Sequence, residues 1–178
     1  MRVKPTSKHG GVIVELGEKE SQMPDQPAFA STAFQLQKIL VPTDLSECSK
    51  KALQYAVPFA KQFGAELHLL YVSEPYPPVP ELGPVDVVPP QDAKADLEAL
   101  RRSIGQSVRT SASLRVGTPH VEIAESAREL EADLIIIATH GRKGFERMFL
   151  GSTAETVVRH APCPVLIVRQ VERDFVPD

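Results

Sequence analysis

Short apolar runs alternate with longer segments of helical period from Gln37 to the end of the sequence, and this alternation is typical of repeated βα units. We predict a β-strand at each apolar run: KILVP, ELHLLYV, a short run around Leu114 to Val116, DLIIIAT and PVLIVR. The first run is continuous rather than alternating, so this strand is predicted to be buried on both faces. Five strands joined by four crossovers predict an α/β fold, with an open five-stranded parallel sheet and helices on both faces.

The segments between the apolar runs carry start and stop signals for four helices. In DLSECSKKALQYAVPFAKQFG, Ser46 is predicted to cap the first helix and Gly64 to end it. The segment DAKADLEALRRSIGQSV is predicted to be the second helix. Thr118 and Pro119 have the chemistry of an N-cap and a first helical residue, and they are predicted to open the third helix. The fourth is predicted from Ser152 to His160.

Two parts of the chain break this rhythm. Residues 73–91 hold seven prolines, so they are predicted to form either a functional loop or a loose insertion. Residues 1–35 are rich in polar residues, glycine and proline, and they are predicted to be a flexible N-terminal extension. Within this extension, VIVEL is apolar enough to pair as an edge strand or to dock on a partner. The expected organisation is one domain over residues 36–170, with a C-terminal tail over 171–178.

Composition limits the classes of function. Hydrophobic residues make up 42% and charged residues 24%, which is a globular composition. The net charge of -3 gives no global support for nucleic-acid binding. No apolar run approaches the ~20 residues that span a membrane, and no signal-peptide core is visible, so a cytoplasmic protein without membrane contact is expected. Cys48 and Cys163 lack metal-ligand spacing and are expected to be reduced and packed as small hydrophobic side chains.

The candidate chemistry lies after the first and fourth strands. In an open parallel sheet, ligands bind beyond the carboxyl ends of the strands, and the loops PTDLS and THGRKGFERMFLGST leave two of those ends. The helix start at Gly151, Ser152 and Thr153 offers unpaired N–H groups, hydroxyls and the positive end of a helix dipole, which together favour a phosphate. Side chains that can carry positive charge precede this helix start: His140, Arg142, Lys143 and Arg147.

The same residues also have a purely structural interpretation. Ser152-x-x-Glu155 has the spacing of a capping box, in which the two side chains satisfy the helix start without a ligand. Gly141 and Gly144 are explained equally well as turn residues. Neither of the standard phosphate-loop motifs, G-x-x-x-x-G-K-[ST] and G-x-G-x-x-G, occurs in the sequence. Spacing alone leaves both interpretations open.

Three stretches, ILVPTDLS, DLIIIATHGRKGFERMFLGSTAE and RHAPCPVLIVR, resemble the universal stress protein (UspA-like) family, over roughly Phe34 to Gln170. The nucleotide-binding branch of that family carries the pattern G-x-x-G, then nine residues, then G-[ST]. Its second and third glycines fall on Gly141 and Gly151, whereas its first falls on Ala138. The resemblance implies a universal stress protein domain with a Rossmann-like sheet in the order 3-2-1-4-5, and a reversal between the first and fourth strands.

The resemblance also implies an adenine-nucleotide site, with ATP as the expected ligand and with Mg²⁺ or Mn²⁺ held through its phosphates. The residues implied for the nucleoside end are Pro42, Thr43, Asp44 and Val72, with Val72 in the adenine pocket. Those implied for the phosphate end are Ala138, His140, Gly141, Arg142, Gly144, Gly151, Ser152 and Thr153. Competing structural roles exist for three of these residues: Asp44 as a turn cap, Val72 as core and His140 as an exposed loop residue.

The favoured hypothesis is an adenine-nucleotide-binding regulatory protein of the stress response, which forms a homodimer through the apolar edge strand Val165 to Val168. At most slow ATP hydrolysis is expected, because no carboxylate in the loop THGRKGFERMFLGST is clearly placed to orient an attacking water. The alternative is a family member that does not bind nucleotide and acts through protein contacts, which Ala138 favours. An ATP pyrophosphatase is disfavoured, because PTDLSECS contains no glycine.

Overall fold

The computed structural model describes residues 2–5, 12–15, 35–74, 91–139 and 151–169. The chain divides into two compact units, residues 1–34 and 35–178. In the first unit, strands β1 (Arg2–Pro5) and β2 (Val12–Glu15) pair in an antiparallel ladder. Both strands lie in the segment whose composition predicts a flexible extension, and the apolar run VIVEL accounts for one of them.

The second unit alternates strands and helices along the chain. Its elements are β3 (Lys38–Pro42), α1 (Glu47–Phe63), β4 (Glu66–Ser73), α2 (Gln91–Ser103), β5 (Thr110–Val116), α3 (Pro119–Glu129), β6 (Leu134–Ala138), α4 (Ser152–His160) and β7 (Val165–Val168). All four strand pairings are parallel, and the order across the sheet is β5-β4-β3-β6-β7. The predicted order 3-2-1-4-5 is therefore confirmed, with its reversal between β3 and β6.

The ends of the helices follow the predicted local chemistry. The hydroxyl of Ser46 accepts a hydrogen bond from the Ser49 N–H at 3.2 Å, which caps α1. Gly64 ends α1 in the left-handed region at φ 68°, a conformation that glycine adopts without a steric cost. Thr118 precedes α3 with extended backbone angles and Pro119 is its first residue, as predicted, although the Thr118 side chain makes no capping hydrogen bond.

Two predicted boundaries are wrong. Strand β5 begins at Thr110 rather than near Leu114, because its polar residues hide the strand pattern. They are tolerated because β5 lies at the edge of the sheet. Helix α2 ends at Ser103 rather than continuing to Val108, and Gly105 follows at φ 79°, a left-handed angle that a helix cannot continue through.

Alternate residues of the central strands face opposite sides of the sheet, so each layer of helices has its own core. Helices α1 and α2 pack against one set of buried strand residues: Ile39, Val41, Leu67, Leu69 and Ile136. Helices α3 and α4 pack against the other set: Leu40, Leu70, Ile135 and Ile137. The predicted burial of the first strand on both faces is thereby confirmed. Within the described ranges, no helix has the length and apolarity needed to cross a membrane.

Candidate functional site

The carboxyl ends of β3 and β6 lie side by side at the strand reversal. The two strands pair in parallel, with Ile39 in register with Leu134 and Leu40 in register with Ile135. The chain returns to this point at the start of α4, where the N–H of Gly151 donates to the carbonyl oxygen of Thr139 at 3.0 Å. The structure therefore brings together the loop after β3, the end of β6 and the first turn of α4.

Four of the predicted site residues lie in the segment between β6 and α4, outside the described residues: His140, Gly141, Arg142 and Gly144. The remaining eight are described: Pro42, Thr43, Asp44, Val72, Ala138, Gly151, Ser152 and Thr153. The described part of the candidate site therefore consists of the loop after β3, the carboxyl ends of β4 and β6, and the first turn of α4.

Thr43 is buried, and its donors are used within the protein. Its N–H donates to the Leu70 carbonyl at 2.8 Å, and its hydroxyl oxygen accepts from the Leu45 N–H at 3.0 Å. The Thr43 and Ser49 hydroxyl oxygens lie 3.0 Å apart, and Ser49 gives its own proton to the Ser46 carbonyl at 2.9 Å. A serine has one hydroxyl proton, so Thr43 must be the donor to Ser49. Thr43 is thus left with acceptor atoms alone for any ligand.

Asp44 has the turn-capping role that was the alternative to nucleoside contact. Its Oδ1 atom accepts from the Ser46 N–H at 3.1 Å and from the Ser46 hydroxyl at 2.6 Å. Leu45, between them, has a φ of 66°, a left-handed angle that costs a non-glycine residue on the order of 1–3 kcal/mol. Because Leu45 also packs against the core beneath α1, these contacts hold the loop in one conformation. A nucleoside contact by Asp44 stays a prediction.

The first turn of α4 does not form the capping box that the sequence allowed. Gly151 occupies the N-cap, Ser152 is the first helical residue, and no side chain caps this helix start among the described residues. The Glu155 carboxylate instead bonds Arg159 at 2.8 Å. The N–H groups of Ser152, Thr153 and the next residue point out of the helix start by geometry, without a partner in the described part of the chain. The structural explanation of the Ser-x-x-Glu spacing is therefore wrong.

Gly151 is required by the packing of α4 on the end of β6. A Cβ atom placed on Gly151 would overlap the carbonyl oxygen of Thr139, the same atom that accepts its N–H. Its φ of -55° is one that any residue adopts, so close approach and not backbone conformation excludes a side chain. The sequence predicted a glycine that lets a ligand approach the backbone, but here the backbone of Thr139 occupies that space.

Ala138 and Val72 both contribute to packing. Ala138 is the last residue of β6, paired with Val168, and its methyl group packs against the core beneath α1 and α2. Its extended backbone needs no glycine. Val72 lies half-buried in β4 and packs against the core beneath α3 and α4, which is the structural role that competed with the adenine pocket. The adenine contact stays a prediction.

Sequence reasoning missed two residues that build this region. Ser49 lies three residues after the Ser46 cap, and the S-x-x-S spacing would have placed its N–H at the cap. The carbonyl of Thr139 receives the start of α4, but no local pattern marks a backbone acceptor. No group of three or more histidine, cysteine, aspartate or glutamate side chains that could hold a metal ion occurs in the described ranges.

The sequence profile of the universal stress protein family matches residues 35–169, and the chain belongs to that family. A universal stress protein of Methanocaldococcus jannaschii is 35% identical over 143 residues, which cover 77% of this chain and 84% of the relative. Universal stress protein UspA from Lactobacillus plantarum superposes with a TM-score of 0.68 at 29% identity, over 76% of this chain and 99% of that one.

One solved relative holds an adenine nucleotide. This universal stress protein, determined in complex with cAMP, superposes with a TM-score of 0.56 at 25% identity. The match covers 78% of this chain and 100% of that protein. The ligand of that relative contains an adenine base, a ribose and a phosphate.

Proposed function

We propose that this chain binds an adenine nucleotide at the strand reversal and that nucleotide occupancy regulates its role in the stress response. In this proposal the phosphates lie at the start of α4, and the base and ribose lie between the ends of β3 and β4. ATP is the expected ligand, with Mg²⁺ or Mn²⁺ bound through the phosphates. The observation that carries the proposal is the start of α4 beside the end of β6, where the first N–H groups have no partner among the described residues.

The start of α4 has the properties of an anion site. Three successive N–H groups lie in its first turn, the Ser152 side chain is exposed, and the peptide dipoles place partial positive charge at the same point. A capping box would have used those donors, and α4 does not form one. The position at the carboxyl ends of the strands is also where open parallel sheets bind their ligands.

The alternative function, protein contact without nucleotide, keeps one supporting observation. The N–H and hydroxyl donors of Thr43 are both engaged within the protein, so the predicted nucleoside contact has fewer groups available. Ala138, which favoured this alternative at the level of the sequence, lends it less weight, because its methyl packs in the core on the side of the sheet opposite α4.

Titration calorimetry with ATP and magnesium, and with cAMP, tests the proposal. The informative variant is Ser152→Asp, because a carboxylate at the first position of a helix favours the helix dipole but repels a phosphate. We expect the variant to fold as stably as the wild type and to lose nucleotide affinity by tenfold or more. The matched control is His120→Asp, which adds the same charge to the first turn of α3.

Two results would contradict the proposal in different ways. If the wild type gives neither heat nor a thermal shift at millimolar ATP and cAMP, the chain does not bind these nucleotides, and protein contact takes their place. If nucleotide binds but Ser152→Asp and His120→Asp weaken it equally, the phosphates do not lie at the start of α4.

The proposed assembly is a homodimer through β7. This strand pairs with β6 on one side, and no strand within the described ranges pairs with its other side. Val165, Leu166 and Ile167 are only partly buried, and an apolar strand edge of this kind is usually covered in a soluble protein. Leu166→Lys is expected to give monomers in light scattering, whereas a monomeric wild type would contradict the dimer.

A further inference from the structure

Strands β4 and β5 carry a chain of polar side chains on the face of the sheet that holds α3 and α4. The His68 Nδ1 atom lies 2.8 Å from the Ser111 hydroxyl, and its Nε2 atom lies 2.8 Å from the Ser113 hydroxyl. The Ser111 hydroxyl donates in turn to the Glu66 carboxylate at 3.1 Å. These hydrogen-bonded side chains lie in the middle of β4 and β5, away from the candidate nucleotide site at the ends of β3 and β6.

The direction of each hydrogen bond follows from the number of protons. Ser111 has one hydroxyl proton and gives it to Glu66, whose ionised carboxylate only accepts. The His68 Nδ1 atom must therefore carry a proton and donate it to Ser111. In a neutral imidazole the Nε2 atom is then unprotonated, so it accepts the hydroxyl proton of Ser113. The connectivity assigns the tautomer of His68 and aims the Ser113 O–H bond at a basic nitrogen.

We propose that Ser113 is a nucleophile that accepts acyl groups from small carboxylic esters, with His68 as its general base and with Ser111 and Glu66 as positioning residues. A hydroxyl on an unprotonated imidazole nitrogen, with the opposite nitrogen oriented by a third group, is the arrangement that activates serine nucleophiles on unrelated folds. Ser113 and His68 are both partly exposed, as the approach of a small ester requires.

Burial, rather than the charged groups around it, favours the neutral, basic form of His68. Burial lowers the pKa of His68 below its usual 6.5, Glu66 opposes this effect, and Arg115 adds to it. Arg115 lies two residues beyond Ser113 on the same face of β5, and it pairs with two carboxylates of α3, those of Glu122 at 3.6 Å and Glu129. His68 is therefore deprotonated at neutral pH, as a general base must be.

The edge of β5 offers a donor for the oxyanion that forms. The Leu67 N–H donates to the Arg109 carbonyl, and the Gly117 N–H donates to the Ser73 carbonyl, so alternate residues of β5 face β4. The N–H of Leu114, directly after Ser113, then faces away from β4, on a side where no strand of the described residues pairs. A backbone N–H next to the nucleophile is the donor type that stabilises tetrahedral intermediates.

The reaction balances with water as the only co-reactant. The Ser113 oxygen bonds to the ester carbonyl carbon as its proton passes to the Nε2 atom of His68. The bond from that carbon to the alcohol oxygen then breaks, and the proton goes to the departing alcohol. Water next bonds to the acyl carbon and gives a proton to Nε2, the bond from Ser113 to the acyl carbon breaks, and Ser113 recovers its proton. The products are an acid and an alcohol.

The test uses 4-nitrophenyl acetate with the full chain, peptide mass spectrometry to locate the acetyl group, and nitrophenolate release for the rate. We expect acetylation at Ser113 at least about 100-fold faster than at Ser103, since general-base catalysis contributes roughly that factor or more. Ser103 is the matched control, because its hydroxyl donates to the Leu100 carbonyl and not to an imidazole. Ser113→Ala should abolish the modification, and His68→Gln should slow it about 100-fold.

A pH profile separates this role from a structural one. Acetylation should be half-maximal below pH 6.5, and Glu66→Gln should move that midpoint to lower pH, because the Glu66 charge raises the pKa of His68. This second variant also serves if His68→Gln fails to fold. The proposal would be overturned if Ser113 were labelled no faster than Ser103, or if Glu66→Gln left the pH midpoint of labelling unchanged. Either result would show that the hydrogen-bonded side chains of β4 and β5 are only a polar contact between the two strands.

Discussion

Two segments meet at the strand reversal, the loop after β3 and the first turn of α4, and they are built in opposite ways. After β3, the donors of Thr43 and one oxygen of Asp44 are bonded to neighbouring residues, and Leu45 is held in a strained backbone conformation. At the start of α4, the N–H groups of Ser152 and Thr153 have no partner within the described ranges. The polar groups of the loop after β3 are thus paired within the protein, whereas the first N–H groups of α4 have no partner among the residues that the structure describes.

In the proposed site, this difference separates residues that hold the site in place from residues that are expected to bind the phosphates. A loop whose polar groups are satisfied internally costs nothing further to hold in place, so it can act as a rigid wall. A helix start with exposed donors gains most when an anion replaces water, because the donors are already aligned. The comparison therefore predicts stability effects on the β3 side and affinity effects at Ser152.

The largest expected effect is on stability, at Gly151. Gly151→Val places a branched side chain against the Thr139 carbonyl and should destabilise the fold by about 3 kcal/mol or more, the upper range for overpacking. For a chain of this size that lowers Tm by about 2–4 °C per kcal/mol in thermal unfolding. Gly64→Val is the comparison, since a Cβ atom placed there meets no atom within 4 Å and the expected cost comes from the left-handed backbone angle of 68°. Equal losses in both variants would contradict the overlap at Thr139.

The next effect is at Thr43, again on stability. Thr43→Val keeps the shape of the side chain but removes the hydroxyl that joins Leu45 to Ser49. A buried donor or acceptor left unpaired costs about 1–3 kcal/mol, so denaturant unfolding should show a loss of about 2 kcal/mol. If the variant is as stable as the wild type but binds nucleotide more weakly, then Thr43 contacts the ligand. The polar groups of the loop after β3 would then not all be paired within the protein.

Ser152 should behave in the opposite way. Ser152→Ala removes one exposed hydroxyl, and it should leave stability unchanged while weakening nucleotide binding about tenfold, the worth of one hydrogen bond to a charged group. Thr156→Ala is a control on the same helix, because its hydroxyl is bonded to the Ser152 carbonyl at 2.8 Å. Calorimetry that finds both variants equally weakened would move the ligand away from the helix start.

The sequence was sufficient for the fold because the decisive interactions are local or repetitive. Continuous apolar runs mark strands that are buried on both faces, and Ser46 and Gly64 mark the ends of α1. The strand order came from the family resemblance. The start of β5 was not predicted because its residues are polar. An edge strand such as β5 is only partly buried, so it does not need a continuous run of apolar residues.

The sequence supplied candidate residues for the site but not their contacts, because these contacts join distant segments of the chain. The bond from Gly151 to Thr139 sets Ser152 as the first helical residue and removes the capping box, and no local spacing reveals this shift. The hydrogen bond from His68 to Ser111 joins residues 43 positions apart, so it depends on the register of β4 with β5. The residue types were sufficient to propose candidate residues, but their hydrogen-bond partners follow only from the packing and the strand register of the folded protein.

Ala138 is the position where the family pattern and the structure disagree most directly. The pattern has glycine here, which suggests that the methyl group of Ala138 obstructs a ligand. In the structure, that methyl packs beneath α1 and α2, whereas α4 packs on the other face of the sheet. The methyl therefore points away from the helix start that is proposed to hold the phosphates, and glycine would open no space there.

The smallest expected effect follows from this geometry. Ala138→Gly should lower stability by about 0.5–1 kcal/mol, because glycine gains backbone freedom in the unfolded chain and loses a core contact. Nucleotide affinity in calorimetry should stay within about twofold of the wild type, a difference of roughly 0.4 kcal/mol. Ala112→Gly is the matched control, since Ala112 lies in β5 and packs against the same core far from the strand reversal. If Ala138→Gly strengthened binding tenfold while Ala112→Gly did not, the ligand would have to contact the α1 side of β6. The loop after β3 would then be part of the binding surface rather than a rigid wall beside it.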